Sequence, residues 1–387
     1  MAILPNSTVG ILGGGQLGRM TAMAAREMGY RVKILDPDPS AAARFLADDQ
    51  IVAQFDDVDA AVALARQCDV VTLEIEKVGH AALVAAAEHA PVRPGAAVLA
   101  VIRERVTQKT WLESNGFPVG PFRVARSFAE LEHAHGELAG PCFIKASSGG
   151  YDGRGQFEAS GPEQAADAWA ALFPGAPRDD ARAVVERALD IDLEISVMVA
   201  RNARGDVAVY PPAENHHEHR ILAWSVLPAS IAPELASRAT DVARRLATTI
   251  GLEGLLCVEL FVVGGKLLVN ELAPRPHNSY HTTFVGSATS QFEQHVRAIC
   301  DLPLGSTEIV RPAAIANLLG DLWVGDRPPA FERALELPCV RLHLYGKAVA
   351  RPGRKMGHLS ATAPSGAAAL ALVKRARAAL ERADGID

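Results

Sequence analysis

The chain has 387 residues, of which 49% are hydrophobic, and it carries a formal net charge of -6 at pH 7. At roughly 150 residues per domain, this length predicts two or three domains with ample material for their cores. The hydrophobic fraction excludes a disordered chain, and the acidic balance excludes a broad basic surface for nucleic acid. A small anionic ligand must therefore be bound by local groups of positive charge.

The five cysteines stand singly in the sequence, without the paired spacing of a zinc or redox site. No apolar run approaches the ~18 residues of a membrane span, and the first ten residues lack the basic and apolar parts of a secretory signal. We therefore expect a soluble cytoplasmic protein that has neither a membrane nor a nucleic acid as partner.

The first hundred residues alternate in the manner of a βαβ fold. Apolar, strand-like runs lie at 9–12, 30–35, 51–53 and 70–73, and helical segments lie at 16–28 and 60–66. The glycine motif at 13–18 joins the first strand to the first helix, and Asp36 ends the second strand, as in a dinucleotide-binding fingerprint. This fingerprint makes a nicotinamide-dependent oxidoreductase one alternative. The backbone N–H groups of the glycine motif lie at a helix N-terminus, however, and such groups bind any phosphate.

A second glycine-rich segment, residues 149–156, follows the strand that delivers Lys145. Four glycines in seven residues free the backbone to wrap around phosphate oxygens, while Lys145 and Arg154 supply positive charge. The residue order is not that of a Walker loop, and a mobile surface loop is the alternative interpretation. The surrounding elements predicted here are a helix at 96–115 and strands at 142–145, 183–186 and 193–199.

A hairpin with two acidic residues follows a predicted helix at 232–250. Its strands, 255–263 and 266–272, meet at two glycines, and Glu259 and Glu271 interrupt runs that otherwise look buried. A two-residue turn would place Glu259 opposite Asn270, whereas a three-residue turn with a bulge would place it opposite Glu271; we favour the second register. Facing carboxylates need a cation between them, and hard oxygen ligands suit Mg²⁺. The alternative is that one glutamate forms a structural ion pair with Arg275.

Three polar segments complete the set of candidates. Residues 274–279 are rigid and polar, with donors for an anion, and residues 351–358 form a late basic cluster that is either a solvated turn or a second phosphate site. The histidines at 216, 217 and 219 lack metal-ligand spacing, so we expect no zinc there. The remaining predicted elements are strands at 313–319 and 340–345 and a helix at 366–383.

Together these motifs resemble the ATP-grasp superfamily and, within it, the PurK-type 5-(carboxyamino)imidazole ribonucleotide synthase family. The resemblance spans nearly the whole chain and is carried by GGGQLGRM from Gly13, GGYDGRGQ from Gly149, NELAPRPHNSYH from Asn270, SQFEQHVRAICDLPLG from Ser290 and RPGRKMGH from Arg351. It implies an α/β ATP-grasp fold. An N-terminal Rossmann-like (pre-ATP-grasp) domain is expected at 1–105, an ATP-grasp domain at 106–300 with a central lid subdomain at about 120–190, and a small C-terminal domain at 301–387.

The resemblance also implies the residues of the site. The expected ATP contacts are Arg105, Lys145, Gly150, Tyr151, Asp152, Gly153, Arg154, Gly155, Gln156, Glu186, Arg187, Ala188, Leu189, Glu194, His217, Asn270 and Glu271. The expected contacts to aminoimidazole ribonucleotide are Gln16, Leu17, Glu74, Tyr151, Asp152, Arg154, His277, Asn278, Arg354 and Lys355. Lys145, Asp152 and Arg275 are expected to be catalytic. Glu259 and Glu271 match the family's ligands for Mg²⁺, for which Mn²⁺ is an alternative.

The activity that the resemblance implies is carboxylation of the 5-amino group of 5-aminoimidazole ribonucleotide in purine biosynthesis. ATP and bicarbonate are the co-substrates, ADP and phosphate are released, and the enzyme is expected to be a homodimer. Another ATP-grasp ligase, such as a formate-dependent glycinamide ribonucleotide transformylase or a biotin carboxylase, is the alternative among enzymes. A non-catalytic nucleotide-binding protein would have little need for Lys145 together with both hairpin glutamates.

Overall fold

The structure, a computed structural model, describes residues 1–148, 155–174, 181–323 and 328–381. These residues form three β-sheets with helices packed against them. No helix in these ranges combines the length and the apolar character needed to cross a membrane.

The N-terminal part is a parallel four-stranded sheet with strand order β3-β2-β1-β4. Its elements are β1 (Thr8–Leu12), α1 (Gln16–Glu27), β2 (Arg31–Leu35), β3 (Asp49–Ile51), α2 (Val58–Ala65), β4 (Val70–Leu73), α3 (His80–Ala87) and α4 (Ala96–Ile102). Strands β1 and β4 are buried along their whole length because helices cover both faces of the sheet. The predicted parallel βαβ arrangement is confirmed.

The predicted single helix at 96–115 is wrong, because two helices occupy this stretch. Helix α4 ends at Ile102, and α5 (Arg105–Ser114) begins after Glu104, whose backbone is extended with φ -114° and ψ 127°. The backbone N–H of Arg105 donates to the carbonyl of Ser147 at 2.8 Å. The break therefore directs the first turn of α5 toward the segment that follows Lys145.

A small antiparallel sheet with strand order β5-β8-β6-β7 carries Lys145. Its elements are β5 (Phe122–Ala125), α6 (Phe128–Leu138), β6 (Cys142–Ala146), β7 (Gln156–Ala159), α7 (Ala165–Leu172) and β8 (Ala183–Arg187). Helices α6 and α7 pack on one face around Leu131 and Ile144. Phe122 and Val184 instead pack against Val106 of α5, and Lys145 and Glu186 of the same sheet line a pocket.

The third sheet has nine strands in the order β14-β13-β9-β11-β12-β15-β17-β16, with β10 paired to β9. Its elements are β9 (Leu193–Arg201), β10 (Val207–Val209), β11 (Ala213–Glu218), β12 (Ile221–Leu227), α8 (Pro233–Thr249), β13 (Gly254–Val263), β14 (Lys266–Ala273), α9 (Thr283–Gly286), α10 (Gln291–Ile299), β15 (Ala313–Leu319), α11 (Phe331–Leu335), β16 (Val340–Leu344), β17 (Lys355–Thr362) and α12 (Gly366–Ala379). Pairing of β12 with β15 makes the C-terminal strands a continuation of the central ones. The domain boundaries at 105 and 300 stay predictions.

Candidate active site

The hairpin of β13 and β14 places Glu259 directly opposite Glu271. Val263 pairs with Lys266, so the turn has only two residues, Gly264 and Gly265, whose φ angles of 54° and 71° favour glycine. The register then shifts after Glu259, because Asn270 is an extra residue on β14. The favoured register is confirmed, but the predicted three-residue turn is wrong: the bulge lies inside the strand.

The two carboxylates differ in their surroundings. Glu259 is partly buried, and its Oε1 lies 3.2 Å from Nε2 of His277. Burial opposes ionisation of Glu259, but His277 outweighs it and lowers the pKa of Glu259 to about 2. Glu271 lies in an open cleft, so the expectation that both glutamates are buried is wrong for this residue. Its pKa is raised, first because protein atoms displace part of its water and then because Glu259 repels its charge.

Arg275 does not pair with either hairpin glutamate among the described residues. Its Nε donates to Oε1 of Glu76 at 2.7 Å, which links the end of β14 to the segment after β4. The alternative of a structural ion pair between Arg275 and Glu259 or Glu271 therefore finds no support in this geometry. Glu259 instead contacts His277 through Oε1 and accepts from the side-chain amide of Asn270 through Oε2 at 3.5 Å.

A pocket beside Glu271 contains much of the predicted ATP site. It is lined by Arg105, Gln108, Lys109, Lys145, Glu186, Asn270 and Glu271. The Glu186 carboxylate lies between two ammonium groups, with Oε2 at 2.5 Å from Lys145 and Oε1 at 2.8 Å from Lys109. Burial opposes the charge of Glu186, but the two lysines together lower its pKa to about 2.

The remaining predicted ATP contacts lie at the ends of neighbouring strands. Lys145 pairs with Gln156 across β6 and β7, and the carbonyl of Gly155 accepts from the N–H of Ala146 at 2.9 Å. Arg187 ends β8, and Ala188 and Leu189 follow it. The predicted contacts Gly150, Tyr151, Asp152, Gly153 and Arg154 lie outside the described residues, as does the catalytic role expected of Asp152.

Glu194 on β9 and His217 on β11 form a close pair, in which Nδ1 of His217 is in hydrogen-bond contact with Oε2 of Glu194. Both side chains are partly exposed. Their adjacency agrees with the expectation that they contact one ligand together, although that contact stays a prediction.

The N-terminal glycine loop is filled by a carboxylate. Glu74 accepts from the backbone N–H groups of Gly15 at 2.5 Å and Gly18 at 2.7 Å, and Asp36 accepts from Gly14 at 2.7 Å. Gly13 has a φ of +112°, and a Cβ there would lie 2.3 Å from the Glu74 side chain. The donors that would hold a pyrophosphate at the start of α1 already bind Glu74. The geometry therefore argues against the nicotinamide-dependent alternative.

A second cleft runs between this loop and the late basic segment. Gly14, Gly15, Asp36, Asp38, Ser40, Ala41 and Ala42 line one side of it, and Lys347, Ala348, Val349, Arg351 and Arg354 line the other. Nζ of Lys347 donates to Oε1 of Gln16 at 2.9 Å and to the carbonyl of Lys355 at 2.7 Å. The predicted substrate residues Gln16, Arg354 and Lys355 thus come together. Leu17 is 7% exposed and packs in the core beneath the loop.

His277 and Asn278 lie near the hairpin carboxylates. His277 reaches Glu259 with Nε2, and its Nδ1 lies 2.9 Å from the Ser279 hydroxyl. The amide of Asn278 is buried, and neither its nitrogen nor its oxygen has a hydrogen-bond partner in the described structure. An unpaired buried amide is costly unless a ligand or water satisfies it.

The comparisons with known proteins agree over most of the chain. Residues 6–103 match the ribonucleotide synthetase preATP-grasp domain, residues 110–292 the ATP-grasp domain, and residues 313–372 the phosphoribosylaminoimidazole carboxylase C-terminal domain. The N5-carboxyaminoimidazole ribonucleotide synthase of Bacillus subtilis is 39% identical over 361 residues, 92% of each chain. The synthase of Brucella melitensis is 40% identical over 94% of this chain and 98% of its own. The chain belongs to the N5-carboxyaminoimidazole ribonucleotide synthase family.

Solved structures of this family have the same fold. The Aspergillus clavatus synthase in complex with ADP and 5-aminoimidazole ribonucleotide matches with a TM-score of 0.88 at 32% identity, over 98% of this chain and 99% of that chain. The predicted ATP-grasp fold, with its pre-ATP-grasp and C-terminal parts, is confirmed. The chain is an ATP-dependent ligase.

Two lysines in these clefts were missed by the sequence reasoning. Lys109 looked like an ordinary polar residue of a helix, although it follows Arg105 by four positions and must share its face. Lys347 lies outside the basic motif at 351–358, but it precedes Lys355 by only eight residues in a glycine-containing loop. The spacing of Lys109 from Arg105 and the nearness of Lys347 to Lys355 are visible in the sequence. Neither feature distinguishes a solvated lysine from one that lines a site.

Proposed function

We propose that the protein carboxylates the 5-amino group of 5-aminoimidazole ribonucleotide with bicarbonate, at the expense of ATP, and releases ADP and phosphate. The observation that carries this proposal is the face-to-face pair of Glu259 and Glu271 beside the pocket of Lys145 and Glu186. The relatives of this chain are named for the formation of N5-carboxyaminoimidazole ribonucleotide, which supports the choice of substrate.

The donor set at the hairpin fits Mg²⁺. Two carboxylates face each other, and no group of three or more His, Cys, Asp or Glu side chains in the described ranges is arranged to hold a metal ion. Mg²⁺ is usually held by one or two carboxylates together with waters and substrate phosphates, so Glu259 and Glu271 suffice. When bound, the ion would offset the negative charge of the transferring phosphoryl group. Mn²⁺ shares this preference for oxygen ligands.

The protein's own residues would mainly position groups and supply charge. Lys145 and Arg105 would face the ATP phosphates, because both line the pocket next to Glu271. Lys347, Arg354 and Lys355 would hold the ribonucleotide phosphate in the second cleft. Arg275 follows β14, the strand that carries Glu271, and it pairs with Glu76; from there it would hold bicarbonate or its phosphorylated form.

The carboxylation would proceed in two steps. A bicarbonate oxygen attacks the γ-phosphorus of ATP and ADP leaves, which gives carboxyphosphate. The 5-amino nitrogen of the ribonucleotide then bonds to the carboxyl carbon, phosphate leaves and the nitrogen loses a proton. Because carboxyphosphate hydrolyses readily, the residues around the site must exclude water during this step.

An omission assay tests the proposal. We expect ADP release only when 5-aminoimidazole ribonucleotide, bicarbonate and Mg²⁺ are all present, and chelation of the metal should abolish it. Equal turnover with formate in place of bicarbonate would instead support the formate-dependent transformylase. The predicted homodimer is tested by light scattering of the purified protein at several concentrations.

A further inference from the structure

Lys109 joins the two sheets that form the ATP pocket. It lies on α5, four residues after Arg105, and only 8% of its side chain is exposed. Its ammonium group lies 2.8 Å from Oε1 of Glu186 on β8 and donates to the carbonyl of Val269 on β14 at 3.3 Å. A lysine is rarely buried unless it is paired, so this position has a specific electrostatic role.

Glu186 is shared between two cations. While Lys109 contacts one carboxylate oxygen, Lys145 lies 2.5 Å from the other. Lys145 cannot move its ammonium toward a nucleotide phosphate without weakening its contact with Glu186. If Lys145 were the sole partner of Glu186, nucleotide binding would leave a buried carboxylate unpaired, which is strongly unfavourable.

The pKa shifts of Lys109 and Glu186 agree with an arrangement in which both lysines interact with the Glu186 carboxylate. The pKa of Lys109 is lowered, because its burial outweighs the attraction of Glu186 and Lys145 repels it. The pKa of Glu186 is lowered although burial opposes this, because both lysines act on it. The pocket lining carries three basic side chains, Arg105, Lys109 and Lys145, against the two acidic side chains of Glu186 and Glu271, and this excess of basic groups favours an incoming anion.

We propose that Lys109 is a positioning residue that keeps Glu186 paired while Lys145 turns to the nucleotide phosphates. Lys109 remains with Glu186 and Val269 in both states, so only Lys145 changes partner. This inference rests on the proposed function, since it requires ATP in the pocket beside Glu271. Lys109 itself need not touch the nucleotide.

The inference predicts a specific pattern of Mg²⁺–ADP affinities, measured by isothermal titration. Lys109→Met should raise the Kd for ADP about tenfold or more, because Lys145 becomes the sole cation on Glu186. Lys109→Arg keeps the charge and should stay within about threefold of wild type. Lys33→Met removes a lysine that pairs with Gln67 and Asp49 in the N-terminal part, and it should bind ADP like wild type.

A double-mutant cycle separates positioning from a merely structural role. In the Glu186→Gln background no carboxylate competes for Lys145, so adding Lys109→Met should change the Kd by less than about threefold. A loss of equal size in both backgrounds would overturn the inference, as would wild-type affinity in the Lys109→Met single variant. If Lys109→Met does not fold, Lys109→Gln, which keeps a donor for Val269 but has no charge, takes its place in the cycle.

The same titrations distinguish this inference from the proposed function. Absence of ADP binding by the wild-type protein would contradict the proposed ATP site itself. Normal ADP binding by wild type, without coupling between positions 109 and 186, would contradict only the role of Lys109. In turnover assays the Lys109→Met variant should show a raised KM for ATP and a smaller change in kcat.

Discussion

Glu259 and Glu271 lie directly opposite each other on adjacent antiparallel strands, in a register set by the extra residue Asn270. Facing like charges destabilise a strand pair unless something holds them there. His277 neutralises part of Glu259, while Glu271 opens into the pocket with Lys145. The arrangement costs stability in the absence of a ligand, and it would supply two anionic ligands to the Mg²⁺ that we propose binds here.

Replacing Glu271 with Gln should separate activity from stability. Turnover should fall about 100-fold or more, because one of the two carboxylates that we propose as Mg²⁺ ligands loses its charge. The melting temperature should stay equal or rise, since the repulsion from Glu259 is removed. ADP release and thermal melting are the two measurements. Glu234→Gln, at an exposed position of α8, is the control and should keep full turnover; wild-type turnover by Glu271→Gln would remove this residue from the metal site.

Replacing Glu74 with Ala should destabilise the N-terminal sheet. The N–H groups of Gly15 and Gly18 would lose their acceptor at the start of α1, an effect of about 1–2 kcal/mol for a helix cap. Thermal melting measures the change, and Glu27→Ala on the exposed face of the same helix should shift the melting temperature much less. An unchanged melting temperature in Glu74→Ala would mean that this carboxylate does not stabilise the glycine loop.

Removing the Lys347 ammonium should weaken binding of the ribonucleotide without affecting ATP. In Lys347→Met we expect the KM for 5-aminoimidazole ribonucleotide to rise about tenfold or more, as for the loss of one charge-assisted hydrogen bond. The KM for ATP should stay within about twofold, because Lys347 lines the second cleft with Arg354 and does not line the pocket of Lys145. Equal changes in both KM values would contradict the division into two clefts.

Two buried histidines should make the protein sensitive to mild acid. Burial lowers the pKa of His295 to about 3, and burial together with His343 lowers that of His358 to about 3. The ordinary pKa of about 6.5 applies after unfolding, so the unfolded chain binds more protons below that pH. The stabilisation is complete above pH 6.5 and is lost as the pH falls toward 3, by about 1.4 kcal/mol per pH unit for each histidine.

Melting temperatures recorded between pH 7.5 and pH 5 check this linkage. His295→Gln keeps a partner for the Thr72 hydroxyl. Because unfolding of this variant takes up one proton fewer, its melting temperature should fall less steeply with decreasing pH than that of wild type. The same slope in the variant and in wild type would show that His295 does not contribute.

The sequence sufficed for the parts of the fold and site that depend on local patterns. The βαβ opening and the strand that carries Lys145 follow from apolar runs and glycines. The facing of Glu259 and Glu271 was predicted through a three-residue turn, whereas it results from the extra residue Asn270 within β14. The break before Arg105 could not be read from the sequence, because residues 96–115 are helix-forming throughout and tertiary contact with Ser147 decides the boundary.

Contacts between residues far apart in the sequence could not be predicted either. Lys347 contacts Gln16, which is 331 residues away in the sequence, and Arg275 contacts Glu76, which is 199 residues away. Both contacts therefore depend on how the sheets pack together. The basic segment at 351–358 was interpreted as either a solvated turn or a second phosphate site. No strand was predicted there, yet Lys355 begins β17, most of which is buried. The roles of the individual site residues remain predictions of the family resemblance.

The fate of labelled bicarbonate tests the central claim most directly. With ¹³C-bicarbonate, ATP, Mg²⁺ and 5-aminoimidazole ribonucleotide, we expect one ¹³C carboxyl group on the 5-amino nitrogen for each ADP formed, as followed by NMR. ADP formation without ¹³C in the product, or labelled product without ADP, would contradict the account.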